Sequence, residues 1–159
     1  MEELFQRTLG QIGELVDKNP DELLLEICRL LKEKIYHYDW VGFYLLKQGE
    51  LVLGPYSGAP TEHIRIQVGK GICGQVAEKR KTMIVQDVTT EDNYISCSLD
   101  VQSEIVVPVL KDGKFLAELD IDSHSPAPFS QDDVLFLENI CKILTESIIK
   151  ALSDTNTPE

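Results

Sequence analysis

The chain has 159 residues, 43% of them hydrophobic and 26% charged, which suits one domain able to bury most of the surface its unfolded form would expose. Its formal charge of -12, from 27 acidic against 15 basic residues, opposes phosphate backbones and anionic lipid surfaces, so neither nucleic acid nor a membrane is an expected partner. No apolar run approaches the roughly 20 residues that cross a bilayer, and Met1-Glu2-Glu3-Leu4 lacks the order of a signal peptide, so the expectation is a cytoplasmic protein.

Leu4, Phe5, Leu9, Ile12, Leu15 and Val16 recur at three- and four-residue steps, which predicts an amphipathic helix over 2–16. Asn19 and Pro20 end it and open a second helix, whose apolar face carries Leu23, Leu24, Ile27, Leu30, Leu31 and Ile35 and which stops near Tyr38. Strands are then expected over 40–46, 51–53 and 64–68, followed by a Gly-rich turn over 69–74 that opens a short helix over 75–79. A strand over 83–85 and a long loop over 87–100 come next, and loops of that length are usually functional. Two more strands, 104–110 and 115–122, flank the turn signal Asp112-Gly113. Ser130, with Asp133 three residues on, caps a last helix over 130–152, and 154–159 form a polar tail. The order predicts an α+β domain over 1–153, an antiparallel sheet of strands 39–123 covered by the N-terminal helices of 1–38 and the C-terminal helix.

Four cysteines in a cytosolic chain do not build a disulfide scaffold, and there is no CxxC pair or Cys/His cluster at zinc spacing, so no metal is expected. Cys28 and Cys141 fall on apolar helical stripes and read as core. Cys73, in Gly69-Lys70-Gly71-Ile72-Cys73-Gly74, and Cys97, in a polar loop, have no such packing purpose, although a small residue filling a turn would also suit Cys73.

Three motifs occur in order: that Gly-rich run, Ser103-Glu104-Ile105-Val106-Val107-Pro108, and Leu119-Asp120-Ile121-Asp122-Ser123. With Asp39-Trp40-Val41-Gly42-Phe43-Tyr44-Leu45 upstream, the chain resembles the free methionine-(R)-sulfoxide reductases, which are single GAF-domain enzymes. The resemblance implies a six-stranded antiparallel sheet flanked by helices, a homodimer, and a closed pocket that reduces free methionine sulfoxide with no cofactor beyond electrons from thioredoxin or another dithiol. By position it makes Cys97 the catalytic cysteine and Cys73 the resolving one, with Glu104, Asp120 and Asp122 holding the substrate and Trp40 and Tyr44 packing on its methylsulfinyl end. His63 stands near the place where many members carry a third cysteine, so the two-cysteine subtype and a Cys73–Cys97 disulfide are implied. Asn93-Tyr94-Ile95-Ser96-Cys97-Ser98 replaces the usual Gly-His-Ile-Ala-Cys-Asp, and Ala117-Glu118, where a Gly-hydrophobic pair is common, reads as surface variation.

The residue types suit that chemistry. Sulfoxide reduction needs a sulfur nucleophile and a proton for the departing oxygen, and leaves a sulfenic acid that a second thiol can capture. Lys70 and a helix start beside Cys73 favour its thiolate, whereas the acidic surroundings of Cys97 favour its thiol until a substrate ammonium neutralises them. Asp120 and Asp122 alternate along one strand and share a face, where they can accept hydrogen bonds from an ammonium; Glu104 or Asp122 is the favoured proton donor. Plainer readings stand beside these. Trp40 and Tyr44 would serve as core, Asp120 and Asp122 as a solvated strand face, Glu104 as a strand-end solubiliser and His63 as a surface residue. The alternative function is a non-catalytic GAF module that binds a small ligand or senses redox state.

Overall fold

The structure, a computed structural model, describes residues 2–90 and 100–153; Cys97 and the other residues of 91–99, with everything proposed for them, lie outside the described residues. Helices α1 (Glu2–Leu15) and α2 (Pro20–Lys34) come first, the second opened by Pro20 and by the Asn19 side chain, which accepts a hydrogen bond from the Asp21 backbone N–H. Strands β1 (Trp40–Lys47) and β2 (Glu50–Ser57) form a hairpin whose two turn residues, Gln48 and Gly49, have φ of 52° and 81°. β3 (Arg65–Gln67), α3 (Gly71–Lys79) and β4 (Met83–Val85) follow, then β5 (Ser103–Lys111), β6 (Lys114–Ser123) and α4 (Gln131–Ser153). Asp112 and Gly113 turn β5 into β6 with φ of 51° and 79°, the left-handed pair that a two-residue hairpin requires. The six strands lie in the order β3-β2-β1-β6-β5-β4, antiparallel throughout.

Strand alternation divides the sheet into two unlike faces. Val41, Phe43 and Leu45 of β1, Ile105, Val107 and Val109 of β5, and Ala117, Leu119 and Ile121 of β6 meet α1, α2 and α4 in one apolar core. Fully buried Leu31, Leu137, Ile140 and Leu144 stack on it, each worth about 1.5–3 kcal/mol of transfer free energy. Cys28 and Cys141 are buried there too, as their helical stripes require. The opposite face carries three cross-strand ranks centred on β6: Trp40, Asp122 and Glu104; Gly42, Asp120 and Val106; Tyr44, Glu118 and Pro108. Helix α3 packs over this second face.

Helix α3 begins earlier than expected and takes in the Gly-rich run, so that Cys73 sits inside its first turn rather than ahead of it. Gly71 enters with φ of 64°, and the Gly74 N–H donates to the Lys70 carbonyl at 2.8 Å, closing a helical turn that glycine-rich composition had disguised as a loop. Gly74 is required by crowding, since a Cβ there would lie 2.5 Å from the Gln67 carbonyl oxygen. Among the described residues, no helix is long and apolar enough to cross a membrane.

At the far end of the sheet, α4 is capped as the sequence indicates. The Asp133 carboxylate accepts from the Ser130 backbone N–H at 2.9 Å and from its hydroxyl at 3.0 Å. Its other oxygen accepts the Tyr38 hydroxyl at 2.6 Å and meets His37 Nε2 at 2.8 Å, tying the start of β1 to the start of α4.

Candidate active site

The second face of the sheet and α3 enclose a small pocket whose walls include Tyr44, His63, Lys70, Cys73, Glu104 and Asp120. Five separate elements contribute: β1, β3 through Ile66, β5, β6 and the first turn of α3, with His63 from the β2–β3 connection. Its free interior is about 10 Å³, room for about one water. Cys73 Sγ lies 4.0 Å from Glu104 Oε2, a long contact, and donor atoms of Cys73, Glu104 and Asp120 all fall within 4.8 Å of one another. A thiol and two carboxyls so placed can hold a cation, whether a metal ion or an organic ammonium.

Burial governs the chemistry of this cluster. Desolvation pushes the Cys73 thiol well above its ordinary range, and Asp120, Glu118 and Glu104 add to the rise. This overturns the expected thiolate: a helix start and an exposed Lys70 do not offset complete desolvation among carboxyls. Burial likewise raises Asp120, although hydrogen bonding with Glu104 and Cys73 pulls part of the way back. Burial thus favours the neutral form of Asp120 over its carboxylate.

Of the residues singled out from sequence, Tyr44, Cys73, Glu104 and Asp120 meet at the pocket. Tyr44 is fully buried and its hydroxyl donates to the His63 carbonyl at 2.8 Å, so His63 is part of the wall rather than a surface residue. Glu104 is buried, which removes the reading of a strand-end solubiliser. Asp122 is buried one rank away, between Trp40 and Glu104. The Trp40 ring stacks on Tyr56 at 5.5 Å and its Nε1 donates to the Ala59 carbonyl at 2.9 Å, an orientation that Gly42 permits, because a Cβ there would stand 2.4 Å from the indole.

One residue was misplaced by the sequence reading. Glu118 is fully buried, not a surface variation: it occupies the same strand face as Asp120 and Asp122, and α3 covers it. The parity of β6 carried the signal, since positions 118, 120 and 122 must point the same way.

Comparison with known proteins gives this architecture its family. Residues 19–148 match the GAF domain. GAF domain-containing protein A of Dictyostelium discoideum is 38% identical over 146 residues, covering 90% of this chain and 91% of that protein. The free methionine-R-sulfoxide reductase of Escherichia coli is 35% identical over 133 residues, covering 84% of this chain and 78% of that enzyme. The structure of a free methionine-R-sulfoxide reductase from Neisseria meningitidis in complex with its substrate superposes with a TM-score of 0.88 at 35% identity, over 97% of this chain and 93% of that one. The chain belongs to the GAF-domain family and, within it, to the free methionine-R-sulfoxide reductases.

Proposed function

We propose that the chain reduces free L-methionine-(R)-sulfoxide to methionine. The observation that carries this reading is the pocket that gathers Cys73, Glu104 and Asp120 in a chain 35% identical to reductases of that substrate over most of its length. Binding has to widen a free interior of about 10 Å³.

In the proposed cycle the ammonium of the free amino acid is held by Asp120, Asp122 and Glu104, buried carboxyls that gain from a cation far more than surface ones would. A methionine inside a peptide has no ammonium to offer, which is the basis of selectivity for the free amino acid. Tyr44 and Trp40 supply apolar surface for the methylsulfinyl end. The Cys97 sulfur takes oxygen from the sulfoxide, becoming a sulfenic acid while methionine leaves, with a proton supplied to the oxygen by one of the buried carboxyls. Cys73 then attacks the Cys97 sulfur, a disulfide forms and water departs. Thioredoxin or another dithiol returns both thiols by exchange.

The test is NADPH consumption coupled through thioredoxin and its reductase, with free Met-(R)-sulfoxide, free Met-(S)-sulfoxide and a peptide sulfoxide offered separately. Turnover with the first alone is expected. Equal turnover of the peptide, or none with any of the three, contradicts the proposal and leaves a ligand-binding GAF module.

A further inference from the structure

Glu104, Glu118, Asp120 and Asp122 are all buried, yet no lysine or arginine is buried among the described residues. Lys70 of the pocket wall is exposed, so water screens its charge and the acids have no inner cation of their own. Cys73 Sγ and Glu104 Oε2 stand 4.0 Å apart, and one donor atom from each of Cys73, Glu104 and Asp120 lies within 4.8 Å of the others. Asp120 is 1% exposed and walls the pocket, and its Oδ1 meets no hydrogen-bond partner among the described residues. A buried polar atom left without a partner on a cavity wall marks the place of a ligand. The free interior of about 10 Å³ is too small for an amino acid until the pocket widens, but it admits a single ion as it stands.

We propose that Cys73, Glu104 and Asp120 form a binding site for zinc(II), and that the bound ion shuts the pocket to substrate. The site stands on the geometry of the cluster; its effect on turnover rests on the reductase reading above. Tetrahedral zinc holds sulfur at about 2.3 Å and carboxylate oxygen at about 2.0–2.2 Å, so its ligand atoms sit about 3.5 Å from one another. The 4.0 Å between Cys73 and Glu104 comes within about half an ångström of that spacing. Sulfur decides the metal: carboxylates alone suit magnesium or calcium, whereas a thiolate selects a softer ion. On loading, the ion enters and the protons of the thiol and carboxyls leave to solvent, because a bonded dication ionises a thiol outright. No electron moves, since zinc has no redox chemistry of its own. Water takes the fourth corner of the tetrahedron. Glu104 and Asp120 are also two of the carboxyls assigned to the substrate ammonium, so ion and amino acid exclude each other.

The experiment uses the full chain, reduced and then freed of reductant without air. One arm titrates it with zinc(II) against a chromophoric zinc indicator and, separately, with cobalt(II) followed by absorbance. One zinc per chain and a thiolate-to-cobalt charge-transfer band are expected, and a roughly hundredfold excess of magnesium should displace neither. Cys73→Ser should abolish the band, and Cys73→Ser, Glu104→Gln and Asp120→Asn should each weaken zinc binding at least about tenfold. Where a variant does not fold, the parent decides alone: zinc should slow iodoacetamide labelling of Cys73, read by peptide mapping, at least about tenfold, and magnesium should not. Zinc binding too weak for the indicator to detect, parent-strength binding by Cys73→Ser, or labelling that zinc leaves unchanged overturns the site. The other arm adds one equivalent of zinc before free Met-(R)-sulfoxide and follows methionine. Its formation should slow at least about tenfold and recover as sulfoxide is raised, and inhibition that excess sulfoxide does not relieve overturns the exclusion. A chain that takes zinc yet forms no methionine without it overturns the reductase reading and leaves the site standing; one that forms methionine but takes no zinc does the reverse.

Discussion

Two buried carboxyls, Asp133 in the first turn of α4 and Glu118 in the middle of β6, differ in how they are partnered, and the difference separates a structural joint from an unsatisfied acid. Asp133 receives the Tyr38 hydroxyl, both donors of Ser130 and the His37 ring, and these bonds outweigh the burial that would raise it, leaving its pKa below the ordinary value. Glu118 is no less buried, has no hydrogen-bond partner among the described residues, and is raised well above 4.5, first by burial and then by Asp120, against the pull of Cys73. A satisfied buried charge fixes one arrangement of the chain, here the joint between β1 and α4. An unsatisfied one costs stability, and its burial favours the neutral acid.

Breaking the satisfied cluster has the largest expected effect. Asp133→Ala strands Tyr38 and His37 and removes a helix cap, and should cost about 3 kcal/mol in urea unfolding while the folded fraction keeps its turnover. A loss below about 0.5 kcal/mol would show that the cluster does not hold the joint. The opposite sign is expected at the middle of β6, where Glu118→Val should stabilise the chain by about 1–3 kcal/mol. A destabilisation there would mean that Glu118 is partnered in solution. Smaller again, Tyr38→Phe removes one donor to Asp133 and should cost about 1.5 kcal/mol by the same measurement.

The two clusters also respond to pH with opposite sign. Glu118 and Asp120 keep protons in the folded state that the unfolded chain releases above its ordinary 4.5 and 3.8, so the folded state binds more protons and stability falls as pH climbs from there toward the raised values. Asp133, held below 3.8, contributes stability that is present above that value and lost as pH falls through its lowered pKa. Unfolding followed from pH 3 to 9 should therefore show a greater advantage of Glu118→Val over the parent at pH 8 than at pH 5. A constant difference would place the Glu118 pKa near its ordinary value.

How much of this was legible beforehand follows from the kind of signal each feature leaves. The strands were readable because short runs rich in Val, Ile, Phe and Tyr, continuous in β1 and β5 and alternating with polar residues in β3 and the end of β6, lie between turns, and Gln48-Gly49 and Asp112-Gly113 announce left-handed backbone. The N-terminal ends of α2 and α4 followed from Asn19-Pro20 and from Ser130 with Asp133. The start of α3 was hidden, because glycine at 71 and 74 signals a turn while close approach to Gln67 is what requires it. The electrostatics of Cys73 were misjudged for a related reason: Lys70 is visible next to it in the chain, whereas Glu104, Glu118 and Asp120 become neighbours only through the sheet. Glu118 itself was within reach, since strand parity ties it to Asp120, but a charged residue beside alanine reads as surface until a helix is known to cover that face.

The most direct measurement is peptide mapping by mass spectrometry after one turnover of the fully reduced chain with free Met-(R)-sulfoxide and no added dithiol. One Cys73–Cys97 disulfide for each methionine formed is the predicted result. Methionine without that bond, or a bond pairing either sulfur with Cys28 or Cys141, would contradict a cycle built on the buried thiol and its acidic pocket.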